Sequence, residues 1–356
     1  MSIGIKVSID SWRSSSGVAI DSQAQAHYDR VIADGGVIPK GLSGCSAYFT
    51  AVKAVYSTSD ITTAIAAAYE PDYLGFKSGA GSGTTLGQAA GTLYSATGSS
   101  SDLVQATAAN QPLLLVHDGV NNYWWGSGVS GNYCSTPDAA ANRITGDIEI
   151  IAKITLLDTT NDNAIIGKYQ GGASTDWLFY TQGKRLKDIT VGAIHTSTVD
   201  LPYNIGDTFY VKFTRIASTG DIEYFYKTNL TDSWTKLGAT VSSTAGNLTA
   251  GSATVTVGAY SLGAGFPALT KIYRATISNS IGGAPVVDFN PNSYAPATSQ
   301  TSWTSATGEV WTVNQDINST GYKGCLVYRT VIQSDGIDDR LMPVDIGLRG
   351  NQDLSF

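Results

Sequence analysis

The feature that most constrains this chain is a period of two in its apolar residues. From about residue 113 one short segment after another alternates apolar with polar. Ile148, Ile150, Ala152, Ile154 and Leu156 fall on one side of a strand, with Asp147, Glu149, Lys153 and Thr155 on the other. Phe209, Val211 and Phe213 alternate with Tyr210, Lys212 and Thr214 in the same way. Further runs hold Ile222, Tyr224 and Tyr226, then Ala253, Val255, Val257 and Ala259, then Tyr273, Ala275 and Ile277. Such strands need neighbours for their backbone groups and an opposing layer for their apolar faces. Gly, Asn, Asp and Ser turns join them, and no helical stretch separates them, which excludes a parallel α/β sheet. The expected fold is mainly β, a two-sheet antiparallel sandwich over residues 113–320.

The chain before it reads differently. A helix is expected from Ser22 to Asp34, with Ala24, Tyr28, Val31 and Ile32 on one face and Gly35, Gly36 and Pro39 as stops. A second is expected over Cys45–Tyr56. A third would start at a Ser59-Asp60 cap and carry Ile61, Ala64, Ile65, Ala68 and Tyr69 at helical spacing before Pro71. Preceded by the strand-like Ile3, Ile5, Val7 and Ile9, these make residues 1–75 a small helical and extended region for docking. Residues 76–112 are small, polar and Gly-rich, and read as a tether ordered by another chain. The run Gly79–Gly87 lacks the Lys of a phosphate loop. Residues 321–356 are too few for a second sandwich, so Leu326–Ile332 is expected to pair beside Leu113–Val116 as a strand or assembly segment. An echo, D-G-[VI]-[ND]-[ND], occurs at 118–122 and 335–339.

Composition excludes several function classes. Charged residues are 14% of the chain, well under the ~25% of ordinary soluble domains. Lys and Arg number 22 against 29 Asp and Glu, a net charge of −7 with no basic cluster, so no nucleic-acid surface is expected. No apolar run approaches the ~18 residues of a membrane span. The opening MSIGIKVSIDSW has no apolar core, which predicts no secretion signal. Cys45, Cys134 and Cys325 form no C-x-x-C and are expected to be small buried thiols.

Catalysis and cofactors find no pattern. Retaining glycoside hydrolysis needs two carboxylates about 5 Å apart. Glu149 and Glu223, the nearest two Glu, are 74 residues apart in sequence. Asp147 and Glu149 share one strand face and are expected to be a solvated outer pair. His27, His117 and His195 belong to no H-E-x-x-H, and no G-x-S-x-G occurs. Asp158, Asp162, Asp176 and Asp207 lie near turns without the spacing of a calcium loop. Hence no enzyme, metal or cofactor is expected. For carbohydrate binding, the best aromatic candidates are Tyr123, Trp124 and Trp125. Adjacent strand residues face opposite ways, so Trp124 and Trp125 cannot both be core. Trp303 and Trp311 are expected inside.

Five segments carry a family resemblance: GSGVSGNYCSTPDAAANRITGDIEIIAKITL (126–156), TDSWTKLGATV (231–241), KIYRATISNSIGGAPVVDFNP (271–291), TSWTSATGEVWTVN (301–314) and QSDGIDDRL (333–341). In order and spacing they resemble a laminin-G-like, concanavalin A-like jelly roll of the kind carried by bacteriophage virion structural proteins. HYDRVIADGGVIP (27–39) and AVKAVY (51–56) resemble segments that precede such sandwiches. The resemblance implies a virion component (tail, fibre, spike or capsid decoration) acting by assembly. Its partners would be other virion proteins and copies of itself, with a homotrimer as the expected state. Its motifs specify architecture and no chemistry. A module binding host-surface glycan is the alternative, and a glycoside hydrolase ranks third.

Overall fold

The structure, a computed structural model, describes residues 20–65, 67–78, 88–105, 113–115, 117, 120–170, 177–295, 301–315, 323–329, 331–333 and 342–343. The chain divides into two compact units: Met1–Val120 with Arg329–Phe356, and Asn121–Tyr328.

In the first unit a helix runs Ser22–Ala33, where the Asp21 carboxylate accepts from the Gln23 and Ala24 amides. A second runs Gly41–Tyr56. Ala24, Val31, Cys45, Phe49, Val52, Leu74 and Tyr94 form the core. The expected third helix stops after one turn, Ile61–Ala64, once the Ile65 amide has bonded to the Ile61 carbonyl. Its residues Ile61, Thr62 and Thr63 are β-branched and weak helix formers, and so short a helix has no reserve of its own. Ile65 is already extended.

Part of the expected tether is a sheet. Gln88–Leu93 pairs antiparallel with Phe76–Ser78, Leu103–Val104 and Leu113–Leu115. Strand ladders are built from backbone groups, which Gly- and Ala-rich residues supply as well as any others. Leu113–Leu115 also pairs with Val331–Gln333, and Leu103–Val104 with Met342–Pro343. The expected strand Leu326–Ile332 is thus split: Val331–Gln333 returns to Leu113–Leu115 in this sheet, whereas Cys325–Val327 joins the sandwich beside Tyr123–Trp125. The expected strand near residues 3–9, the Gly79–Gly87 run and the 335–339 half of the echo lie outside the described residues.

The second unit is a two-sheet antiparallel sandwich. Among the described residues one sheet has eight strands, in the order Ala193–Thr196, Arg185–Thr190, Trp177–Gln182, Asp162–Lys168, Val255–Val257, Tyr133–Thr136, Val310–Asn314 and Ser302–Thr304. The other has nine. Its main path is Thr235–Lys236, Asp221–Lys227, Thr208–Arg215, Ile148–Leu156, Thr270–Ser278, Tyr123–Trp125 and Cys325–Val327, with Val241–Ser242 and Val287–Phe289 beside it. Ile148, Ile150, Ile154, Phe209, Val211, Phe213, Val255 and Val257, the inward set of the alternation, are all in one core. Across the layers Phe179 and Phe213 stack with centroids 5.7 Å apart. Trp303 and Trp311 are in the same core, both edge-on to Phe289.

Candidate functional site

Tyr123, Trp124 and Trp125 form a strand in the interior of the nine-stranded sheet, between Thr270–Ser278 and Cys325–Val327. Trp124 points into the core and is 0% exposed. Tyr123 and Trp125 take the opposite face and are buried as well, at 1% and 0%. The Tyr123 ring lies 5.3 Å from Tyr273 and 4.9 Å from the Lys271 ammonium. None of the three presents an open ring to a ligand. Alternation placed one indole inward correctly, and it carries no information about what covers the other side.

The aromatic groups that do border open space lie three or more strands away on the outer face of the same sheet. Strand pairing sets Arg274 opposite Lys153, Lys153 opposite Tyr210, and Tyr210 opposite Lys227. These four side chains therefore form one row across four strands. The next row on that face is Thr276, Ile151, Lys212 and Phe225. Two loops wall this floor. One, after Asp221–Lys227, brings up Leu230 and Trp234. The other, after Thr270–Ser278, brings up Pro285. Between them is a groove of about 250 Å³ lined by Ile151, Lys153, Tyr210, Lys227, Leu230, Trp234, Arg274, Thr276 and Pro285. Small-molecule pockets begin at roughly 300 Å³. This groove thus suits one ring of a longer ligand, not an enclosed molecule.

The walls are held by their own polar bonds. Asn229 donates from its amide and its side chain to the Asp232 carboxylate, 2.7 and 3.1 Å. Lys227 Nζ donates to the carbonyls of Leu230 and Asp232, 2.5 and 3.3 Å. The cations lie against rings: Lys227 is 4.7 Å from the Trp234 centroid and 5.5 Å from Tyr210, and Lys153 is 5.9 Å from Tyr210. Arg274 makes two bonds to the Asp288 carboxylate, 2.8 and 3.0 Å, which holds its pKa above the ordinary value. Burial pushes the Tyr210 hydroxyl up, against the pull of Arg274, so it stays a neutral donor and acceptor. Sequence reasoning passed over this group because its members are scattered over four strands and a loop. The usable signal was the polar side of the alternation, where Lys153, Tyr210 and Lys212 stand.

Other residues singled out by sequence are committed elsewhere. Glu149 is not solvated as expected: it is buried, with Lys212 Nζ 3.7 Å away. Asp147 accepts from the Ala217 amide at 2.8 Å. Asp158 accepts four bonds from Thr160 and Asn161, a turn motif. Asp207 caps its turn through the Asn204 amide, Asp162 opens a strand, and Asp176 lies outside the described residues. Cys45 and Cys134 are buried, and Cys325 is half-buried. His27 bonds the Leu74 carbonyl through Nε2, and His117 is buried.

His195 belongs to a cluster that no spacing revealed. Asp188, fully buried, accepts from Tyr224 Oη at 2.5 Å and Thr190 Oγ1 at 2.7 Å, with His195 Nδ1 3.1 Å away. Buried Arg215 lies in the same field and is anchored to Ser243, Thr244 and Gly246. Asp188 and His195 come from one sheet and Tyr224 and Arg215 from the other, so the cluster joins the layers. The Thr190 hydroxyl donates to the carboxylate and is not poised as a nucleophile.

No family model matches the sequence, and no curated protein matches it. Solved structures do. A putative carbohydrate binding protein from Bacteroides ovatus is 12% identical, covering 63% of this chain and 62% of its own, with a TM-score of 0.40. A SAP-like pentraxin from Limulus polyphemus is 11% identical over 46% of this chain and 79% of that one, TM-score 0.35. Mouse laminin α1 domains LG4-5 are 10% identical over 45% and 42%, TM-score 0.32. None of the three comes from a bacteriophage. Every score is below 0.5, so the choice of function falls to the geometry.

Proposed function

We propose that the sandwich is a carbohydrate-binding module whose ligand lies in the groove on the outer face of the nine-stranded sheet. A pyranose has a flat side of C–H groups and a rim of hydroxyls. It needs an apolar wall next to fixed polar groups. The observation that carries the reading is this combination in one place: Trp234, Leu230 and Pro285 as walls over the row Arg274, Lys153, Tyr210 and Lys227. Tyr210, Lys153, Lys227 and Arg274 supply donors at fixed spacing on rigid strands. This favours the glycan-binding alternative of the sequence over a purely structural role. A glycan array tests it. Trp234→Ala is expected to abolish binding while the melting temperature stays within a few degrees of the parent. Undiminished binding by that variant would remove the groove as the site.

The setting comes from the sequence resemblance alone: a projecting module of a phage virion, assembled with copies of itself. Light scattering checks the trimer that this implies, and a monomer at working concentration counts against it.

A further inference from the structure

We infer that the groove selects glycans bearing an anionic group, a carboxylate or a sulfate, held between Lys153 and Lys227 above Tyr210. The inference rests on the glycan reading and names its ligand class. Three of the nine lining residues are cationic and none is acidic, in a chain where acids outnumber bases by 29 to 22. The carboxylates around the groove are already matched. Asp288 takes Arg274, Glu149 takes Lys212, Glu223 takes Lys236, and Asp232 takes Asn229. Lys153 is left with ring contacts only, to Tyr210 and to Tyr273 at 4.9 Å. Lys227 is left with two carbonyls. Among the described residues neither has a carboxylate within ion-pair distance. They are directly opposite Tyr210 from its two sides, so two ammonium groups share one ring without a counter-charge.

Lysine stems often cover aromatic surface merely to solvate it. That role leaves the ammonium in water and is indifferent to the sign of its neighbours, so it does not account for a lining of one sign. A neutral sugar seated here would strip water from Lys153 and Lys227 and return no charge, which penalises it relative to an acidic one. An anion between them gains charge-assisted bonds from both.

The test is an array of matched pairs: oligogalacturonate with its methyl ester, and sulfated keratan oligosaccharide with its desulfated form, which carries no carboxylate. One acidic member is expected to bind at least tenfold more tightly than its neutral partner, and the preferred pair identifies carboxylate or sulfate. Lys153→Gln should weaken that binding about tenfold, Lys153→Arg should retain it, and affinity should fall as salt rises. Equal or tighter binding of the neutral members, or a Lys153→Gln variant of unchanged affinity, overturns the inference and leaves the glycan reading standing. An array on which nothing binds overturns both.

Discussion

Replacing Gly258 by Ala should damage the sandwich far more than its position just after a strand suggests. Gly258 has φ +84°, and a Cβ there would lie 2.1 and 2.2 Å from two carbons of the Trp124 ring. Ordinary contact needs more than 3.4 Å, so the indole would have to move by over 1 Å. It has nowhere to go: it is wholly buried, and Gly126 and Gly324 approach the same ring. The left-handed backbone costs an alanine about 1–2 kcal/mol. Overpacking a filled core costs about 1–3 kcal/mol more. The sum, roughly 2–5 kcal/mol, is a large part of the ~5–15 kcal/mol that holds a typical domain together. Near-UV circular dichroism and thermal melting of the full chain would read it, with an expected drop on the order of 5–15 °C. The decisive comparison is a double-mutant cycle with Trp124→Leu. A smaller side chain frees the space, so the pair should cost less than the two singles added, by about 1–3 kcal/mol. Strictly additive losses, or a Gly258→Ala protein that melts like the parent, would refute the claim that Trp124 is a core residue fitted against glycines.

Two other outcomes follow from buried carboxylates. Asp188→Ala strands the Tyr224 and Thr190 hydroxyls and the His195 imidazole and removes a counter-charge from Arg215. A loss of about 3–5 kcal/mol is expected in urea unfolding, and one below 1 kcal/mol would mean the cluster does not join the sheets. At Asp158 burial raises the carboxyl pKa, and the bonds from Thr160 and Asn161 more than reverse this, bringing it to about 2. A depressed folded pKa gives stability that is fully present above the unfolded value near ~4 and is lost as pH falls through the folded one. Asp158→Asn should therefore melt lower than the parent at pH 7, with the gap closing between about pH 4 and pH 2. A gap that persists below pH 2 would show that the deficit is not electrostatic.

What was legible in the sequence was what backbone periodicity controls. Ile150 and Phe213 are opposite each other in the sheet, and both face inward, because a period of two leaves a strand only two choices of face. The two longer helices were legible for the same kind of reason. The short third one was not, since the spacing of its apolar residues does not record how weakly the β-branched Ile61, Thr62 and Thr63 hold a helix. The binding groove was invisible because it depends on register. Lys153, Tyr210 and Lys227 become neighbours only when three strands align to the residue, and no single stretch of sequence records that. Trp124 and Trp125 misled in the opposite direction: adjacency in sequence made them conspicuous, and an interior strand buried both. Glu149 was misplaced because outward was equated with solvated, whereas Lys212 and its neighbours cover it.

The pairing of Leu113–Leu115 with Val331–Gln333 gives this chain a timetable. Some 220 residues separate the partners, so on a ribosome adding 5–20 residues per second roughly 10–40 s pass between the appearance of one and the other. During that interval Leu113–Leu115 is paired on one side only. The sandwich waits almost as long, since its last strand, Cys325–Val327, closes beside its first, Tyr123–Trp125, some 200 residues earlier, but it emerges before Val331. The inserted sandwich can thus finish while the unit that flanks it is still incomplete. Early release of a truncated chain would strand an open β edge, the kind of surface on which nascent chains find one another.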